Sequence, residues 1–160
     1  MDILTNDVKK QYDRSFATLR AIIEAFPEDK WLAEHGDEYY IPSRIAYHLA
    51  VFIDGFVAEG MKNDPDFRDN RPFGSWKDGT AATLPGKAAL LGYYDESVAR
   101  AEAILDKLDD AAVVAAIEPE RARMGESNLG AHMYVMREIA DHTGELNKML
   151  IENGIDDIWM

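Results

Sequence analysis

From Ser127 to Gly154 the chain carries one uninterrupted helical pattern, and this segment most narrows what it can fold into. Ala131, Val135, Ile139, Leu146 and Met149 recur at helical steps, so at ~100° per residue they share one face. Ser127 offers an N-cap hydroxyl, and Gly154 suits the left-handed position that follows a helix. A helix of this length spans roughly 40 Å and hides its apolar stripe only against other long helices.

Three further segments supply them. From about Ile3 to Phe26, the residues Val8, Tyr12, Phe16, Leu19, Ile23 and Phe26 fall on one face, and Pro27 ends the run. A polar connector with aromatic anchors, EDKWLAEHGDEYY, follows. The second helix begins near Pro42 or Ser43 and runs to about Met61. It is apolar almost all round, with Ile45, Leu49, Val51, Phe52, Ile53, Phe56 and Val57, so it belongs either at the centre of the fold or against a second subunit. Burial against a second copy makes a homodimer the expected assembly.

The third helix is expected after Thr83 as N-cap, with Pro85 in its first turn and Leu91, Tyr94, Val98, Ala101, Leu105 and Leu108 as its buried stripe. Between the second and third helices, residues 62–83 form a long loop carrying Phe73 and Trp76, which reads either as a functional lid or as a surface loop pinned by its aromatics. Residues 109–126 read as a linker with one short helical piece at DAAVVAAI. The tail IDDIWM is expected to fold back onto the helices. The absence of strand alternation makes the fold class all-α, a four-helix bundle forming a single domain over residues 1–160.

A net charge of −13 works against binding to phosphate backbones or anionic membranes. No apolar run is long enough to span a bilayer, and the N-terminus lacks the pattern of a signal peptide. With no cysteine, the chain has neither a disulfide nor a thiolate ligand or nucleophile, which fits a cytoplasmic setting.

Chemistry concentrates on the last helix. Glu138 and His142, at i and i+4, project from the middle of its apolar face, where two side chains can grip one ion. An ionised Glu on such a face costs several kcal/mol without a partner or cation. The alternative to an ion is a buried Glu–His hydrogen bond. On the second helix, His48 shares a face with Ile41, Ile45, Phe52 and Phe56. His48, Glu138 and His142 together make a two-histidine, one-carboxylate set suited to Zn²⁺, Ni²⁺ or Fe²⁺ with positions left open. Glu145 reads either as the residue that orients the His142 ring or as an ordinary helix-edge carboxylate. His35 sits in the polar connector, where exposure is the default. His132 lies about 80° off the Glu138–His142 face and ~15 Å along the axis from His142, so it cannot join the same ion. Arg44, Tyr47, Trp76 and Arg137 are candidate pocket residues.

These segments resemble the DinB/YfiT-like family. IPSRIAYHLAVFIDGF is similar to its second helix, where a Ser precedes a metal-binding His, and REIADHTGELNKMLIENG to its last, where a His is followed by Gly and then Gln or Glu. LPGKAALLGYYDESVARAEAILDKL is similar to its third. The resemblance implies a four-helix bundle holding Zn²⁺ or Ni²⁺ through three histidines, the last two at i and i+4. His48 corresponds to the first ligand and His142 to the last, whereas Glu138 stands where many relatives have His. It also implies a small-molecule substrate and a metal-activated low-molecular-weight thiol as cosubstrate, as in thiol-dependent S-transferases and a thiol-dependent isomerase. Transfer of a thiol and hydrolysis both remain open. A non-catalytic metal-binding or stress-response bundle is the alternative. A di-iron carboxylate site is disfavoured, since no Glu precedes His48 at the required spacing.

Overall fold

The computed structural model describes residues 2–37, 39–58 and 72–159, the side chains of Phe56, Ala58 and Glu120 excepted. The first helix, α1 (Ile3–Ala25), buries Val8, Tyr12, Phe16, Leu19 and Ile23, the stripe its periodicity predicts, and ends as Phe26 turns into extended backbone ahead of Pro27. Its opening turn is capped from far along the chain. The Thr5 amide and hydroxyl both donate to Asp110 Oδ1, at 2.9 and 3.0 Å, and these bonds hold the Asp110 carboxyl below the usual range.

Helix α2 (Pro42–Phe52) starts with Pro42 in the first turn, where its missing N–H costs nothing, and runs into a π-helical segment, Ile53–Ala58. All eleven residues of α2 are buried within a single chain, so the all-round apolar pattern is met by a central position in the fold. The expected continuation to Met61 and the burial of Phe56 lie outside the described residues. In the π-helical segment, the buried Asp54 accepts from Tyr93 Oη at 3.0 Å and Arg100 Nε at 2.8 Å. Burial and this carboxylate together hold the Tyr93 phenol well above its ordinary range.

Helix α3 (Lys87–Leu105) begins four residues after the expected cap at Thr83. Thr83 instead closes a local turn, accepting from the Thr80 amide at 2.8 Å. Pro85 stays outside the helix because its carbonyl accepts from Trp31 Nε1 at 3.0 Å and Ser43 Oγ at 2.7 Å. The buried stripe is Leu90, Tyr94, Ser97, Ala101 and Leu105, with Leu91, Val98 and Leu108 only partly covered. The face is thus turned by one residue at two positions from the expected one. Ser97 can face inward because its hydroxyl bonds to the Tyr93 carbonyl within the helix.

The linker forms a short helix, α4 (Asp110–Val114), and a 3₁₀ turn, Pro119–Met124. Gly125, at φ +152°, then brings the chain so close to the next helix that a Cβ there would lie 2.8 Å from Gly130 Cα. Helix α5 (Asn128–Glu152) opens on Ser127, whose side chain accepts from the Gly130 amide, and Gly154 takes φ +78° just beyond its end. The tail folds back as expected, with Asn147 and Ile158 exchanging two hydrogen bonds of 2.9 and 3.0 Å.

Helices α1 and α2 each pack against both α3 and α5, so the four long helices close around one apolar core. No strand occurs among the described residues, and no described helix is long and apolar enough to cross a membrane. Away from α2, His132 faces Tyr12 across the α1–α5 contact, with Nδ1 3.1 Å from the phenol oxygen, and burial pushes its imidazole down from 6.5 to about 4. Neutral His132 therefore keeps its full contribution to stability above pH 6.5. As the pH falls from 6.5 towards 4, the unfolded chain binds a proton that the folded chain refuses, which costs on the order of 3 kcal/mol. Urea unfolding across this window should show a proton-linked loss of stability whose slope shrinks by about one proton in His132→Gln. An unchanged slope in that variant would assign the acid sensitivity to other groups.

Candidate metal centre

The contact between α2 and α5 brings His48, Glu138 and His142 together. Glu138 Oε1 lies 3.5 Å from His48 Nε2 and 3.4 Å from His142 Nε2, and the three ligand-type atoms all fall within 4.8 Å of one another. The two imidazoles meet edge to face, with ring centroids 4.9 Å apart. All three side chains are largely withdrawn from water, at 11%, 26% and 16% exposure.

His142 is held from its other side. Its Nδ1 is 2.6 Å from Glu145 Oε2. An ionised carboxylate only accepts, so Nδ1 is the donor in this pair, and a ring with that single proton would offer its Nε2 lone pair on the side of Glu138. Glu145 is therefore the orienting partner and not a bystander at the helix edge. Lone pairs on nitrogen and carboxylate oxygen converging at this separation repel unless a cation, a proton or a metal ion, lies between them. The 3.4–3.5 Å separations are longer than a good hydrogen bond but match the ~3.3 Å edge of a tetrahedron with bonds of ~2.0–2.1 Å. The donor set thus fits a borderline divalent ion such as zinc.

The neighbourhood is aromatic. Trp76 lies against His48 with ring centroids 4.1 Å apart, and Phe52 packs on His48 at 5.8 Å and on Tyr134 at 6.2 Å. Of the candidate pocket residues, Arg44 and Tyr47 are buried, and their polar ends tie down the segment that carries Trp76. Arg137 instead lies exposed over the Tyr134 ring, 5.1 Å from its centroid. Tyr39 is a neighbour that sequence reasoning passed over. Its phenol is raised above the ordinary value, first by burial and then by the charges of Glu145, Tyr40 and Glu138. Its place in an irregular connector left no periodic signal.

The other histidines stand apart. His132 pairs with Tyr12, as its position on the helix wheel requires. His35 is not exposed as the polar connector suggested. It is only 16% exposed, with Nδ1 3.7 Å from Glu152 Oε2 and Nε2 accepting from Asn153 Nδ2 at 3.3 Å. A cavity of about 250 Å³ lies beside it, walled by His35, Tyr40, Glu145, Lys148, Met149 and Glu152. Glu145 thus touches this cavity while binding His142.

An all-helical fold with two histidines and a glutamate converging between two long helices defines a class of candidate metal-binding bundles. Residues 9–146 match the family model of the DinB superfamily, and the chain belongs to that superfamily. No curated protein matches the chain.

The tautomer of His142 follows from Glu145 and is directly measurable. Long-range ¹H–¹⁵N spectra of metal-free protein should show the proton on Nδ1, and Glu145→Ala should remove that preference. A His142 protonated on Nε2 alone in the parent protein would contradict the geometry.

Proposed function

We propose that this chain binds one divalent metal ion through His48, Glu138 and His142 and uses it on a small-molecule substrate. The reaction is either transfer of a low-molecular-weight thiol to an electrophile or hydrolysis. The single observation that carries the reading is the convergence of two imidazole nitrogens and a carboxylate oxygen within 4.8 Å of one another on largely buried side chains. Membership in the DinB superfamily agrees with the same reading, since the sequence resemblance to that family implies a metal-activated thiol.

A divalent ion held by three protein ligands supplies a Lewis acid that lowers the pKa of water or a thiol at an open position. The protein's own residues do the rest. Glu145 fixes the His142 tautomer, so Nε2 presents its lone pair. Glu138 adds a negative charge where a third imidazole would be neutral, which favours a hard or borderline cation and lowers its Lewis acidity. Trp76 and Phe52 form an apolar wall beside His48 and limit the access of water to it. Zn²⁺ and Ni²⁺ suit the donor set best, and Fe²⁺ also fits it.

Protein purified without a metal-affinity tag should carry or take up one zinc or nickel ion per chain, measured by elemental analysis. His142→Ala should abolish stoichiometric binding, Glu138→Gln should weaken it, and His35→Ala should leave it unchanged. Affinity should fall as the pH is lowered, because protonated imidazoles do not coordinate. Parent-like binding by His142→Ala would overturn the site. Screening the loaded protein with thiols and electrophiles, against hydrolysis of model esters, separates the two reactions, and inactivity in both favours the non-catalytic alternative.

A homodimer is a separate proposal. Since α2 is covered within one chain, it rests on the exposed apolar side chains Ile3, Leu4, Val114, Met133, Ile151 and Trp159. Light scattering should report twice the 18.0 kDa chain mass, and a monomer at micromolar concentration would exclude it. A cytoplasmic setting for the reaction is proposed on the lack of cysteine.

A further inference from the structure

We infer that Trp76 is a positioning residue for the first metal ligand, held over His48 by a strap that α2 itself clamps down. The inference rests on the metal reading above and adds a residue to it. Trp76 is half-buried, and its ring lies 4.1 Å from that of His48 at a tilt of 44°, in direct van der Waals contact. Such a contact restricts rotation of the imidazole about its Cβ–Cγ bond. His142 has a carboxylate to fix its ring, and Trp76 does for His48 by tilted ring contact what Glu145 does for His142 by hydrogen bonding.

The strap, residues 72–79, is fastened on both sides of Trp76 by the turn of α2 that carries His48. On one side, the Tyr47 hydroxyl donates to the Gly74 carbonyl at 2.9 Å and accepts from the Phe73 amide at 3.3 Å. The Phe73 ring packs on those of Tyr47 and Tyr93. On the other side, the buried Arg44 guanidinium donates to the carbonyls of Lys77 and Gly79. Gly74, at φ +75°, takes the left-handed turn that returns the strap towards α2. Arg44, Tyr47 and His48 fall within about one helical turn, so one stretch of α2 supplies both the ligand and the fastening for the residue above it. A surface loop pinned only by its aromatics would not call for a buried guanidinium whose Nε has no partner among the described residues.

The experiment uses the full chain and the variants Trp76→Ala, Trp76→Phe and Tyr47→Phe. The last removes the strap's hydroxyl fastening without touching the Trp76 ring or a ligand. In metal-free protein, the His48 ring protons should be shifted by the indole ring current. That shift should vanish in Trp76→Ala, shrink in Tyr47→Phe and persist in part in Trp76→Phe. In zinc titrations, Trp76→Ala should bind about 10- to 100-fold more weakly, the range seen when a ligand-orienting group is lost. Trp76→Phe, which keeps a ring over His48, should recover most of that loss. A His48 signal unmoved by Trp76→Ala, or parent-like zinc affinity in that variant, overturns the inference. Failure of the parent protein to bind zinc overturns the metal reading instead. The ring-current shift then still decides whether Trp76 holds His48.

Discussion

The constraint on which the rest depends is that α2 has no face left for water. Its polar side chains therefore draw their partners from other parts of the chain. Ser43 bonds to Pro85 at the threshold of α3, Arg44 and Tyr47 bond to the strap, and His48 meets Glu138 and His142 on α5. The apolar side chains of α2 drive its burial. Its four polar residues then dictate how the connector, the strap, α3 and α5 are arranged around it. The start of α3 shows this directly, because Trp31 and Ser43 both take the Pro85 carbonyl and hold that residue outside the helix.

The same logic explains the contrast between the polar pairs. Asp54 with Tyr93 and Arg100, and Tyr12 with His132, are complete in themselves: an acceptor meets donors, or a hydroxyl meets a ring nitrogen. The set formed by His48, Glu138 and His142 is different, because Nδ1 of His142 is already committed to Glu145 while both imidazole Nε2 atoms converge on one carboxylate oxygen at 3.4–3.5 Å. A proton or a metal ion between these atoms would satisfy them, and that convergence on one point separates a candidate site from ordinary core polarity. Glu138 carries a negative charge where a histidine would be neutral, which raises the demand for positive charge with the same number of ligands.

Much of the arrangement was legible in the residues. Periodicity located α1, α2 and α5 and the caps at Ser127 and Gly154, since these depend on local spacing and on single side chains that bond within a turn. The convergence of Glu138 and His142 was legible for the same reason, since i and i+4 on one helix are neighbours however the helix packs. The face of α3 was less so: Leu90 and Leu91, and Ser97 and Val98, are adjacent pairs whose hydrophobicity alone favours the wrong member. Ser97 faces inward because its hydroxyl is satisfied within the helix, a property no hydropathy pattern carries.

The sequence by itself determined that this chain is helical, that its second helix must be enclosed, and that a glutamate and a histidine share an apolar face in need of compensation. Those follow from covalent spacing and from the cost of leaving polar groups dry. Only the tertiary structure decided which partners provide that compensation. It set His48 against Glu138, ninety residues away in the chain. It brought Asp110 to the first turn of α1, made Glu145 the orienter of His142 and laid Trp76 over His48. Apart from the Glu145–His142 pair, these contacts join segments remote in sequence, where no local periodicity operates. For Glu145, spacing allowed the contact, and the side-chain rotamers in the packed site selected it.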